Sequence, residues 1–230
     1  DKFFSLIAHD LKNPFLSLLG FSEILIENAD TFEKEHIKEF SRLIYDTSKH
    51  THTLLENLLE WSRLQTGKLQ INLQENITSK IIAETVNVCY SNAQEKKIKI
   101  SIDNSYDGII VCDKEMISTT LRNLITNAIK FSPIGEEIIV KCEKEAESIV
   151  FSINDNGVGI APEYMEKLFD VDCSLSKPGT LGEKGSGLGL ILCNEFVQKH
   201  NGKIWVESEL GQGSKFIFSI PLKSKSQQHV

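Results

Sequence analysis

Four groups of residues in this chain have types and spacings that could do chemistry. The first is His9, followed directly by Asp10. At the helical pitch His9 points about 140 to 160° away from Phe4, Ile7 and Leu11, which places it on an outer face rather than in a core. An exposed imidazole is substantially neutral at about pH 7 and offers a ring nitrogen as a nucleophile. A neighbouring carboxylate can hold the ring and accept its proton. Taken alone, a His-Asp pair on a helix surface is more often a solvated face. The second group is Asp155-Asn156-Gly157-Val158-Gly159-Ile160, after the apolar run Ile149–Ile153. A carboxylate ending a strand before two glycines suits a tight turn at a ligand, with Asp155 accepting from an amino group. A plain hairpin turn is the competing reading.

The third group is Gly185-Ser186-Gly187-Leu188-Gly189-Leu190, which opens a helical pattern. Free backbone amides at a glycine-rich helix N-terminus bind phosphate. The run matches neither the P-loop nor the dinucleotide fingerprint, because Leu190 stands where the last glycine belongs. The fourth is the polar face of Leu121–Phe131, where Asn123, Asn127 and Lys130 recur at helical spacing. Amide oxygens are hard ligands suited to Mg²⁺, and a lysine can neutralise phosphate charge. Alone, this stripe is an ordinary helix surface.

Two kinds of texture must position these groups. Over the first sixty-odd residues, Ile37, Phe40, Ile44, Thr47, Thr51, Leu54, Leu58 and Trp61 form an unbroken heptad seam. Phe4, Leu11, Leu18 and Leu25 recur every seven residues before it, with Ile7 and Phe21 alongside. Two long helices are predicted, parted at Asn28–Glu33, with Thr31 as N-cap of the second and Gly67 as its end. Pro14 removes a hydrogen bond to the carbonyl of Asp10 and bends the first helix. Two helices cannot bury two seams, so pairing with a twin into a four-helix bundle is the economical solution. Packing of the hairpin on the rest of the chain is the alternative.

From about Lys68 the texture changes to short strand patterns at Leu69–Leu73, Ile98–Ile102, Ile109–Cys112, Glu137–Cys142, Ser148–Asn154, Lys203–Glu207 and Lys215–Pro221. Helical patterns lie between them at Ser79–Lys96, Lys114–Phe131, Pro162–Phe169 and Leu188–His200. Strands joined partly as hairpins and mixed with helices predict an α+β two-layer sandwich, not a doubly wound parallel sheet. The division expected is a helical hairpin over residues 1–67 and a sandwich over 68–230.

In this order the segments resemble the sensor histidine kinases of two-component systems. Phe3–Pro14 looks like the family's H-box, Asn123–Phe131 its N-box, Asp155–Ile160 its G1 box and Gly185–Leu190 its G2 box. Pro162–Phe169 resembles the F-box region, and Gly211-Gln212-Gly213-Ser214 is a weaker match to a later glycine turn. The resemblance implies a dimerisation and phosphotransfer hairpin followed by a Bergerat-type catalytic ATP-binding domain. It implies autophosphorylation of His9 by ATP, then transfer to an aspartate of a response-regulator receiver domain, with phosphatase activity toward that regulator. Asp10 becomes the acid-base partner and Asn13 the residue positioning water for dephosphorylation. Asn127 holds Mg²⁺ beside Asn123, Lys130 meets phosphate, and Asp155 accepts from the adenine amino group. Phe131, Gly157, Gly159 and Ile160 shape the pocket. Gly185, Gly187, Leu188 and Gly189 form the joint between an ATP lid, roughly Asp170–Lys184, and its helix. One departure is Asp170, an acid where many members carry arginine; Lys177 or Lys184 is the replacement cation expected. A Bergerat-fold ATPase without histidine phosphorylation and a degenerate kinase acting as a dimeric scaffold remain as alternatives.

Composition sets the frame. Of 230 residues, 40% are hydrophobic, enough for a packed core, and the net charge of −7 argues against nucleic acid as the main partner. Five scattered cysteines form no C-x-x-C pattern and predict a reducing, cytoplasmic setting. No apolar run reaches membrane-spanning length, so the expectation is a stretch not inserted in a membrane, cut from a longer protein that the resemblance allows to be membrane-anchored.

Overall fold

The computed structural model describes residues 2–66, 69–170, 178–183, 185 and 187–222, without the side chains of residues 2–10 and Gln65. The chain divides into two compact units, Asp1–Lys68 and Leu69–Val230.

The first unit is two antiparallel helices, α1 (Lys2–Glu27) and α2 (Lys34–Gln65). Aromatic rings close its turn end. Phe40 lies 6.1 Å from Phe21 and stacks on Phe32 at 5.7 Å. Along the α2 seam Leu54 and Thr51 are buried, Phe40, Ile44, Thr47, Leu58 and Trp61 are half-buried, and Ile37 is exposed. Helix α1 runs through Pro14 as one element. The expected N-cap at Thr31 is not formed. The Thr31 hydroxyl instead donates to the Asn28 carbonyl (3.2 Å), and α2 starts from Glu33 with no side-chain cap. The reason is competition: the turn closing α1 brings the Thr31 and Phe32 amides onto the Asn28 carbonyl (3.0 and 2.9 Å), and the Thr31 hydroxyl joins them instead of turning to α2. A second apolar face remains uncovered, with Phe15, Leu16, Leu19 and Ile26 of α1 and Leu43, Tyr45, Leu55 and Leu59 of α2 exposed.

The second unit carries β1 (Gln74–Ile77), α3 (Thr78–Glu95), β2 (Lys99–Asn104), β3 (Ile109–Cys112), α4 (Lys114–Phe131), β4 (Glu137–Glu145), β5 (Ser148–Asp155), α5 (Pro162–Met165), α6 (Gly189–Lys199), β6 (Lys203–Glu209) and β7 (Gly213–Pro221). Five strands form one sheet in the order β2-β4-β5-β7-β6. Only β2 and β4 run parallel, and β1 and β3 make a separate antiparallel ribbon. Helices α3, α4 and α6 cover one face, giving the two-layer α+β sandwich. The alternation along β4 buries Ile138, Val140 and Cys142 and leaves the residues between them half-exposed. In the core Phe151 and Phe218, cross-strand partners, stack at 4.8 Å beneath Leu121, Leu124 and Ile125 of α4.

Two expected elements differ. Residues 69–73 are not a strand, since β1 begins at Gln74. The Asn72 amide is taken by the Asp113 carboxylate at 2.9 Å, so a helix cap rather than a ladder fixes this stretch. The Pro162–Phe169 pattern is helical only to Met165 and continues as tight turns, while Leu168 and Phe169 pack on the core. Among the described residues no helix is long and apolar enough to cross a membrane.

Candidate functional site

Asp155 ends β5 as a buried carboxylate, 4% exposed. Its Oδ1 accepts from the amides of Gly157 (2.8 Å) and Ser214 (3.3 Å). Its Oδ2 has no partner among the described residues and is not sealed from solvent. Burial pushes the carboxyl up to about 6, against the pull of those two amides. The arrangement is a fixed acceptor presented in a half-dry niche.

The glycines around it serve close approach. Gly159 has φ +69°, and a Cβ there would overlap the Glu209 carbonyl; Gly213 has φ +101°, and a Cβ would overlap the carbonyl of Asp155. The turn is tied across by Gly211 donating to the Val158 carbonyl (2.8 Å) and Ile160 donating to Ser208 Oγ (2.9 Å). Replacing Gly159 with Ala combines strain with overlap, so urea unfolding should show a loss of about 1–3 kcal/mol.

Asp155's turn sits on the C-terminal end of α4. No glycine cap closes this helix; remote donors satisfy its last carbonyls. Phe131 O accepts from Val158 N (3.2 Å), and Lys130 O from Thr180 N (3.0 Å). Lys96 Nζ donates to Ile129 O (2.8 Å) and Lys130 O (3.0 Å). The Lys130 ammonium lies over the Phe131 ring at 4.7 Å. Partial burial lowers its pKa, with Glu183 opposing the shift. The half-buried Ile160 packs against the core below.

One helical turn back, Asn123 and Asn127 differ. The Asn123 side chain faces Gly189 at the start of α6, where an added Cβ would come 3.1 Å from its Oδ1. Asn127 is half-buried and has no partner among the described residues. Asn123 is therefore turned toward α6, and Asn127 is the amide available to a ligand. Gly185, Gly187 and the buried Leu188 lead into α6. No cluster of His, Cys, Asp or Glu among the described residues could hold a metal by itself. A Mg²⁺ ion carried on a phosphate ligand with its own waters needs few protein oxygens, and the Asn127 amide would be the one to hold it.

The start of α4 is fixed by residues the motifs do not include. Asp113 caps it, Oδ1 accepting from Glu115 N (3.1 Å) and Met116 N (3.2 Å). The amide of Asp113 donates to Nε2 of the buried His200 (3.0 Å), whose Nδ1 pairs with the Phe196 carbonyl at 2.7 Å. The ring must therefore be neutral, with its proton on Nδ1. Desolvation lowers the His200 pKa, opposed by the Phe196 carbonyl and the Asp113 charge. A folded pKa below the unfolded value costs nothing above the latter. Stability is lost as pH falls from about 6.5 toward the folded value, by at most about 1.4 kcal/mol per unit. Urea unfolding between about pH 7.5 and 5.5 should show this slope, reduced in His200→Gln.

In the first unit, His9 and Asp10 belong to the helical backbone of α1, and their side chains lie outside the described residues. Asn13 is exposed one turn further along α1, and Asp170 is exposed after α5. Lys177, Lys184 and Gly67 also lie outside the described residues. The residues that sequence reasoning missed are Lys96, Asp113, Thr180, Glu183, His200 and Ser208. Only Ser214 carried a signal, through the glycine turn before it.

The model of the His Kinase A (phospho-acceptor) domain matches residues 1–67, and that of the histidine kinase-, DNA gyrase B- and HSP90-like ATPase matches 112–224. Sensor protein SrrB of Staphylococcus aureus is 30% identical over 220 residues, 95% of this chain and 37% of SrrB. The chain thus spans little more than a third of the length of the curated relatives it matches. The histidine kinase AdeS of Acinetobacter baumannii superposes with a TM-score of 0.74 at 21% identity, covering 94% of this chain and 98% of that one. Histidine kinase ThkA, in its complex with response regulator protein TrrA, gives 0.78 at 21% identity, covering 99% and 63%. These two likenesses concern the fold. With a phospho-acceptor domain followed by an ATPase domain, each matched to its own unit of the chain, this protein belongs to the sensor histidine kinases of two-component systems.

Proposed function

We propose that the second unit binds ATP and that His9 of the first unit takes its γ-phosphoryl group and then yields it to an aspartate of a response-regulator receiver domain. The observation that carries the nucleotide half is Asp155, a buried carboxylate with one oxygen saturated by backbone amides and the other available. That oxygen suits the exocyclic amino group of adenine, and Gly157 and Gly159 let the turn that carries it close against the Phe131 and Glu209 carbonyls. Lys130 lies on the phosphate side, Asn127 offers its oxygen to Mg²⁺, and the metal supplies charge neutralisation on the phosphates.

A neutral ring nitrogen of His9 attacks the γ-phosphorus in line. The bond to the bridging oxygen breaks, ADP leaves, and Asp10 accepts the imidazole proton. The protein's contribution is positioning and charge, as for phosphoryl transfer in general. Asn13, exposed on α1 one turn along from His9, orients water when the phosphorylated regulator is hydrolysed in this reading. The uncovered apolar face of the hairpin supports a homodimer through a four-helix bundle. ThkA's complex with a response regulator supports a partner of that kind here.

Incubation with γ-labelled ATP and Mg²⁺ tests the reading. Protein-bound label that is acid-labile and base-stable is expected. ATP hydrolysis with no adduct would mark a plain ATPase instead, and neither hydrolysis nor adduct with nucleotide bound would mark a scaffold.

A further inference from the structure

Lys96 follows α3 as its C-cap and is 4% exposed, which is unusual for a lysine. Its ammonium is caged by four oxygens: the Ile129 and Lys130 carbonyls, Thr180 Oγ1 at 2.6 Å and Glu183 Oε1 at 2.8 Å. Two of these belong to the end of α4, where a cation also suits the helix dipole. The other two belong to residues 178–183, a turn far along the chain.

That turn is organised around the same point. Gly179 N donates to the Glu183 carbonyl (2.8 Å), Gly182 N to Gly179 O (2.9 Å), and Leu181 N to Glu183 Oε2 (2.8 Å). Glu183 thus uses one carboxylate oxygen to close its own turn and the other to meet Lys96. Thr180 Oγ1 reaches Ser132 O at 2.9 Å, beside its amide's bond to Lys130 O. Gly179 lies against the Lys130 stem, where an added Cβ would come 2.5 Å from Cγ. Glu183 is the carboxylate that the described residues bring to this buried ammonium, and an unpaired buried charge is strongly unfavourable. The turn is consequently tethered to α4 beside Lys130.

We propose that Lys96 is a positioning residue of the nucleotide site, anchoring the turn 178–183 through Thr180 and Glu183 so that this turn forms a fixed wall beside Lys130 at the phosphate end. The functional part rests on the nucleotide reading above; the anchor itself does not. Because the anchor adjoins Lys130 and not Asp155, its loss acts on triphosphate binding and leaves adenosine binding unchanged.

The test uses Glu183→Gln and Thr180→Val in the whole chain. Amide hydrogen exchange at Gly179–Gly182 is read without nucleotide, and dissociation of a fluorescent ATP analogue and binding of adenosine are read alongside. Expected are a roughly tenfold or greater loss of protection confined to these amides, with β5 and β7 amides unchanged, and release of the ATP analogue faster by about tenfold. Lys96→Met combined with Glu183→Gln should release no faster than Lys96→Met alone, because the same pair is removed. Unchanged protection would overturn the anchor. Lost protection with unchanged ATP release, or with adenosine weakened equally, would overturn the positioning role. Lost protection in a protein whose wild type binds no nucleotide would retain the anchor and overturn the nucleotide reading together with the positioning role built on it.

Discussion

His9→Gln is expected to abolish incorporation of the γ-phosphoryl group while ATP binding by the second unit is unchanged. An amide nitrogen shares its lone pair with the carbonyl and cannot attack phosphorus, so no residual adduct should form at that position. Nucleotide binding is assigned to residues 69–230, which fold around their own core, so the change leaves Asp155, Asn127 and Lys130 in place. The measurement is labelling with γ-labelled ATP, beside equilibrium binding of a fluorescent nucleotide. Label that survives the substitution would move the acceptor to another residue. Label lost together with binding would point to a folding defect.

Asp155→Asn should weaken adenine-nucleotide binding by about a hundredfold, read by calorimetry or fluorescence. A hydrogen bond to a charged acceptor contributes about 1.5–3 kcal/mol, and each 1.4 kcal/mol is tenfold in affinity. Asparagine keeps an oxygen for the Gly157 and Ser214 amides but turns an NH₂ donor toward the base, so donor faces donor. A pH dependence separates loss of this bond from loss of fold. The Asp155 carboxyl titrates at about 6 in the folded chain, raised from 3.8 by burial. Below that value its second oxygen carries a proton and no longer serves as acceptor, so wild-type affinity should fall as pH drops through about 6, approaching tenfold per unit. The Asn variant should lack this slope. The same shift has a stability sign. A raised carboxyl pKa means the folded chain keeps a proton that the unfolded chain releases, so this group's stability contribution falls as pH rises from about 3.8 to 6. The proposed ligand acceptor is thus held at a cost to the fold.

The two helices of the hairpin were legible from the seven-residue recurrence of Phe4 to Leu25 and the heptad seam of Ile37 to Trp61, because periodicity is a property of neighbours along the chain. Helix α4 and strand β3 were legible to the residue for the same reason, and Asp155–Ile160 and Gly185–Leu190 stood out because glycine is required locally. Errors came where a competing hydrogen bond, three residues away for Thr31 and 41 residues away for Asn72, outweighed the expected preference. Thr31 lost its capping role to the end of α1, and residues 69–73 lost a strand to the carboxylate of Asp113.

By itself, the sequence determined the order of most elements and the change of texture near residue 68, and it supplied the candidate groups for chemistry. The tertiary structure alone decided which of them meet. It turned Asn123 toward α6 and left Asn127 without a partner among the described residues, closed the end of α4 with Lys96, Thr180 and Val158, and seated His200 against the cap of the same helix. Lys96 and Glu183 are 87 residues apart, as are Asp113 and His200, and Ser214 reaches Asp155 across 59. A buried polar group must find a partner, but nothing local names which one, because the partner is chosen by where the packed core brings two distant stretches of chain together.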